Sequence, residues 1–196
     1  MSHGAHIEGD GNKRVAILVS ILVLCLAIAE TAAKGSQTKA LAANIEAANL
    51  WSFFQAKTIR QTMVRSLAEQ MTIDVQLAKD PAVKQVLEKR INDWQATAKR
   101  WQSEPMTGPK GEDVGEGRDE LSRRAIALQK ERDLYTAKYH QYELSSAAFQ
   151  IAIVLASSYV ITNVVLLLWG SFALGGIGVI FWFIGLLAPK AVHILG

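Results

Sequence analysis

Two apolar blocks, at residues 15–33 and 148–188, bracket a long polar segment. No other feature of the chain constrains its fold as strongly. About 20 consecutive apolar residues are what a helix needs to cross ~30 Å of hydrocarbon. The first block, VAILVSILVLCLAIAETAA, is one such length. The second is too long for one crossing. Gly170 and Ser171 offer a tight turn within it, which gives spans at 148–169 and 171–188. Trp169 and Phe172, flanking that turn, suit an interfacial aromatic belt. The expectation is an all-α protein with three transmembrane helices. Residues 1–12 are then a polar N-terminal tail, 189–196 a C-terminal tail, and residues 13–33 form the first transmembrane helix.

The first block also imitates a secretion signal, with Lys13 and Arg14 before it and Ala27-Ile28-Ala29 near its close. We read it as a retained membrane helix. Lys34, Lys39, Arg132, Lys138 and Lys190 lie near helix ends on one side, which puts the polar segment in the cytoplasm. Lys13 and Arg14, directly beside the first helix, argue for the opposite orientation. The lone Cys25 sits in an apolar run, so no intrachain disulfide forms.

Residues 34–144 hold 18 Lys and Arg against 15 Asp and Glu, and so carry the whole net charge of +3. The two signs are interspersed, as on solvated helix faces, and no motif for nucleic acid accompanies them. From Thr38 to Ala78 there is no proline. Ile45, Ala48, Ser52, Ala56, Ile59, Met63, Leu67 and Met71 recur in steps of three and four, the period of a helix face. Asp80-Pro81 reads as an N-cap and first helical residue. Val83, Leu87, Ile91, Trp94, Ala98 and Trp101 then share a face. Residues 103–117, SEPMTGPKGEDVGEG, form a flexible loop without apolar period. A third helix begins near Arg118 with Leu121, Ala125, Leu128, Tyr135, Tyr139 and Tyr142 in near-heptad phase, and nothing breaks it before the second apolar block. Residues 34–147 are thus expected to form a long extramembrane antiparallel helical hairpin, coiled-coil-like, leading into a membrane hairpin at 148–188.

Within the first stripe, Trp51, Phe53 and Phe54 crowd together ahead of Lys57 and Arg60. If Ala48, Ser52, Ala56 and Ile59 line the hairpin seam, Trp51 and Phe54 flank it. A helix apolar on more than one side requires more than one partner. These five residues are therefore the expected interface of a homo-oligomer, with Lys57 and Arg60 at its rim.

The same stretch, Trp51-Ser52-Phe53-Phe54-Gln55-Ala56-Lys57, about 20 residues past a first membrane helix, resembles the bacterial membrane-protein domain-of-unknown-function family 4337. The shared pattern is an aromatic pair followed by Gln-Ala-Lys, a helical middle and a C-terminal hydrophobic pair. Members often begin with a His-rich tail, of which His3 and His6 remain here. The resemblance implies a bacterial membrane protein and carries no activity.

Ser171, Gly175, Gly178 and Gly185 form a small-residue face, matched by Ala148, Ala152 and Ala156, suited to close helix packing in lipid. Glu30, Gln150, Tyr159 and Asn163 are polar groups in apolar surroundings. They are either interhelical glue or a candidate polar path. Two tail histidines with Glu8 and Asp10 are a weak metal set, and His140 with Glu143 reads as a solvated pair. No HExxH, GxSxG or phosphate loop is present. The expectation is a non-enzymatic protein without catalytic residues, cofactor or metal. Its partners are membrane lipids and its own copies, with no nucleic acid. The sequence suggests either an oligomeric scaffold or a subunit of an oligomeric channel.

Overall fold

The computed structural model describes the backbone of residues 5–191 and the side chains of 13–191. Four helices follow one another: α1 (Ala5–Leu77), α2 (Pro81–Gln102), α3 (Arg118–Thr162) and α4 (Val165–Leu187). Among the described residues there is no strand, only an isolated bridge between Thr107 and Asp113. Three of the helices, α1, α3 and α4, contain stretches long and apolar enough to cross a membrane. The residues divide into two compact units. The first joins the chain up to Leu41 with the chain from Glu131 onward; the second is Ala42–Lys130.

α1 passes through Gly35 without a break, so the apolar block and the polar stripe belong to one helix. A mid-helix glycine costs about 1 kcal/mol relative to alanine, a small penalty within so long a helix. α2 starts as the sequence signals. The Ala82 N–H donates to Asp80 Oδ1 at 2.8 Å, and Pro81, which lacks an N–H, takes the first helical position. Lys99 and Arg100 close α2, while Asp119 and Glu120 open α3, each favourable to the helix dipole.

The segment 103–117 is more ordered than its composition suggests. Gly108 N–H donates to the Glu112 carbonyl, and Val114 N–H to that of Met106. Gly115 and Gly117 are buried, and a Cβ on Gly115 would stand 2.6 Å from the Glu104 carbonyl oxygen. Close backbone approach explains those two glycines better than flexibility does.

The turn expected at Gly170-Ser171 lies seven residues earlier. α3 ends at Thr162, and Asn163 adopts a left-handed φ of 54° before α4 begins. Asparagine tolerates that conformation better than its β-branched neighbours Thr162 and Val164. Gly170 and Ser171 are instead inside α4, where neighbouring helices approach them. Trp169 and Phe172 are outward-facing residues within α4, not markers of a turn.

Candidate functional site

In the first unit, α3 and α4 fold back on each other about Asn163. A Cβ on Gly170 would meet Leu155 at 3.1 Å, one on Gly178 the Phe149 ring at 2.8 Å, and one on Gly185 the Tyr142 ring at 2.8 Å. The Ser145 hydroxyl donates to the Gly178 carbonyl at 2.8 Å. The α3 segment facing α4 therefore starts near Tyr142, not at Ala148. Ala148, Ala152, Ala156, Ser171, Gly175, Gly178 and Gly185 are all buried inside this unit. Leu22 and Ala29 of α1 join Phe149 and Ala152 in its core. The small residues thus serve packing between α1, α3 and α4 of one chain.

The four polar residues of the candidate path do not assemble. Gln150 Nε2 approaches Glu30 Oε1 at 3.4 Å. Asn163 is exposed at the turn, thirteen residues further along the chain, or roughly 20 Å at helical rise. Tyr159 contributes its backbone carbonyl to the Asn163 N–H at 2.8 Å. An apolar cleft of about 190 Å³ is lined by Cys25, Ile28, Phe149, Val179 and Trp182. The tail residues His3, His6, Glu8 and Asp10 lie outside the described side chains.

In the second unit the buried face of α1 differs from the expected one. Ala43, Ala47, Leu50, Gln61 and Ala68 are buried, with Phe54, Lys57, Val64 and Met71 half-buried. Their spacing alternates four and three, a heptad seam. Ala48, Ser52, Ala56 and Ile59, expected to line the seam, are exposed. The physical reason is that the seam is built from small residues and polar groups that find partners. It was therefore less hydrophobic than the opposite face.

Trp51 and Phe54 pack into this seam, against Leu50, Leu121, Ala125 and Leu128. Their rings meet edge to face, 5.3 Å between centroids. The Arg118 guanidinium lies 5.0 Å above the Phe54 ring. Lys57 donates to the Glu116 carbonyl and lies 4.0 Å from Glu104. These contacts turn Trp51, Phe54 and Lys57, all half-buried, toward the chain's own helices, whereas Trp51 and Phe54 were expected to flank the seam. Phe53 and Arg60 remain exposed.

Three residues not singled out as site residues in the sequence, Gln61, Arg118 and Glu120, tie the helices together. Gln61, fully buried, donates to the Ala98 carbonyl at 2.7 Å and to Gln102 at 3.1 Å, and accepts from Arg118. Arg118 also reaches Gln102 at 3.2 Å. Glu120, 1% exposed, accepts from the Ser103 hydroxyl at 2.8 Å, the Glu104 N–H at 3.1 Å and Arg123 at 3.3 Å. Burial pushes the Glu120 carboxyl up, but these hydrogen bonds together outweigh it and hold it below the ordinary value. Gln61 and Glu120 are both held by structural partners from neighbouring segments.

The family model for a domain of unknown function, DUF4337, matches residues 11–188. The chain belongs to the DUF4337 family. No curated protein and no solved structure matches it. The match covers both units, so the DUF4337 domain includes the three apolar helices as well as α2 and the loop at 103–117.

Proposed function

We propose that this DUF4337 protein is a non-enzymatic, multi-pass protein of the bacterial inner membrane that works as a homo-oligomeric helical scaffold. α1, the end of α3, and α4 are the membrane spans, and the second unit stands outside the bilayer as a helical hairpin, on the cytoplasmic side. The observation that carries the reading is the exposed face of α1 in the second unit. Ile59 is 66% exposed, Met63 62% and Ile45 53%. Aligned apolar surface of this kind supports a contact with another chain. The non-enzymatic part is supported by the structural partners that Gln61 and Glu120 already hold.

A channel or transport subunit is the competing reading. It needs Gln150, Tyr159 and Asn163 along one wall, and the Glu30–Gln150 contact alone supports it. The mass of the detergent-solubilised particle tests the scaffold. A multiple of the 21.4 kDa chain mass is expected. A monomer across the accessible concentration range refutes it.

A further inference from the structure

From Leu41 onward α1 carries two apolar faces, and they follow different periods. The buried seam repeats every seven residues. The outer face, Leu41, Ile45, Ala48, Ser52, Ala56, Ile59, Met63 and Leu67, steps by four, three and four again, an eleven-residue repeat. At about 100° per residue, the two faces are centred roughly 160° apart, so one packing partner cannot cover both. All eight residues of the outer face are exposed.

We propose that the outer face of α1 pairs with the same face of a second copy, parallel and in register. The inference rests on the homo-oligomer reading and names its seam. Copies in one bilayer share a topology, and α1 runs unbroken from its apolar stretch into this face. The two helices therefore meet in the same direction, each residue opposite its counterpart. Such pairing brings every charge on the face against itself. From Leu41 to Gln70 the face carries none; the first is Asp74. Its one central hydroxyl, Ser52 Oγ, is turned onto the Ala48 carbonyl at 3.0 Å and needs nothing from the partner. Residues 41–70 span about 44 Å of helix, and a contact strip one helix diameter wide, ~10–12 Å, gives roughly 440–530 Å² per copy. The total, about 900–1,050 Å², sits near the ~1,000 Å² expected of a specific interface. Anchorage in a common membrane raises the effective concentration of the partner and compensates for the modest area.

The test uses the full chain in membranes with Cys25→Ser as background. Single cysteines are placed by Ser52→Cys and Ile59→Cys on the outer face, and by Arg65→Cys on the side away from it. Mild oxidation joins cysteines whose Cα atoms come within ~4.4–6.8 Å. Ser52→Cys and Ile59→Cys should give a disulfide-linked band at twice the chain mass, and Arg65→Cys should remain single. All three exposed positions should leave the helical signal unchanged. An oligomeric particle without crosslinks at 52 and 59, or with equal crosslinking at 65, overturns the seam and leaves the scaffold reading standing. A monomeric particle overturns both.

Discussion

Replacing Phe54 by alanine separates a core role from an interface role for the aromatic cluster. A fully buried Phe→Ala costs about 3–5 kcal/mol. Phe54 is half-buried, so about 2 kcal/mol of that applies. The edge-to-face contact with Trp51 adds about 0.5–1.5 kcal/mol. The Arg118 guanidinium over the ring adds about 0.5–1 kcal/mol. The expected loss is about 3–4.5 kcal/mol. Because Trp51 and Phe54 touch, the double variant should lose less than the two single losses combined. At ~4–8 °C per kcal/mol for a domain the size of the second unit, Phe54→Ala should lower the melting transition by roughly 12–36 °C. Thermal circular dichroism and particle mass are read on the same detergent-solubilised sample. Melting should fall while the mass at low temperature is kept. Phe53→Ala, at an exposed position, should change melting by less than about 0.5 kcal/mol equivalent. A Phe54→Ala protein that keeps its melting temperature but falls apart into helical monomers refutes the core assignment.

Three further outcomes follow from the packing. Gly178→Ala drives a Cβ to 2.8 Å from the Phe149 ring and should cost about 1–3 kcal/mol in unfolding assays, whereas Gly176→Ala, facing open space, should be neutral. Ser145→Ala removes the hydrogen bond to the Gly178 carbonyl and should cost about 1 kcal/mol. Ser171→Ala removes a buried hydroxyl that has no partner and should be neutral or stabilising by a similar amount in the same assay. Because the folded Glu120 carboxyl titrates below its ordinary 4.5, its contribution is complete above about pH 4.5 and is lost as pH falls through the folded value. Melting between pH 7 and 3 should therefore decline less steeply in Glu120→Gln than in the parent; equal slopes would remove Glu120 from the account.

Helix boundaries set by backbone chemistry were legible in the sequence. Asp80-Pro81 marks the start of α2 because an Asp side chain caps a free N–H and proline lacks one. The loop at 103–117 was legible from its prolines and glycines, though the bonds that tie it to α1 and α3 were not, since they come from the Lys57 and Glu120 side chains. The turn between α3 and α4 was misplaced because glycine signals a turn in water. Against a neighbouring helix the same residue signals close approach. Gly178 and Gly185 sit under the Phe149 and Tyr142 rings, a use that hydropathy does not register. Asn163, the residue that makes the turn, read instead as a polar contact between helices.

The two faces of α1 show why the seam was the hardest part to read. Periodicity ranks faces by hydrophobicity, and the outer face holds Ile45, Ile59, Met63 and Leu67. The inner face holds Leu50, Phe54, Val64 and Met71, but these alternate with Ala43, Ala47 and Ala68 and with the polar Lys57 and Gln61. On composition alone the outer face is the better core. The inner one is buried within the chain because its alanines admit a close neighbour and its polar groups are satisfied: Gln61 by Ala98, Gln102 and Arg118, and Lys57 by the Glu116 carbonyl. A buried amide without those partners costs about 1–3 kcal/mol, and with them it fixes the register in which α1 meets α2 and α3. The more hydrophobic face is then the one left over, and it is the face proposed to meet a second copy. The mistaken ranking and the proposed assembly therefore share one cause: α1 has more hydrophobic surface than a single copy of the chain can cover.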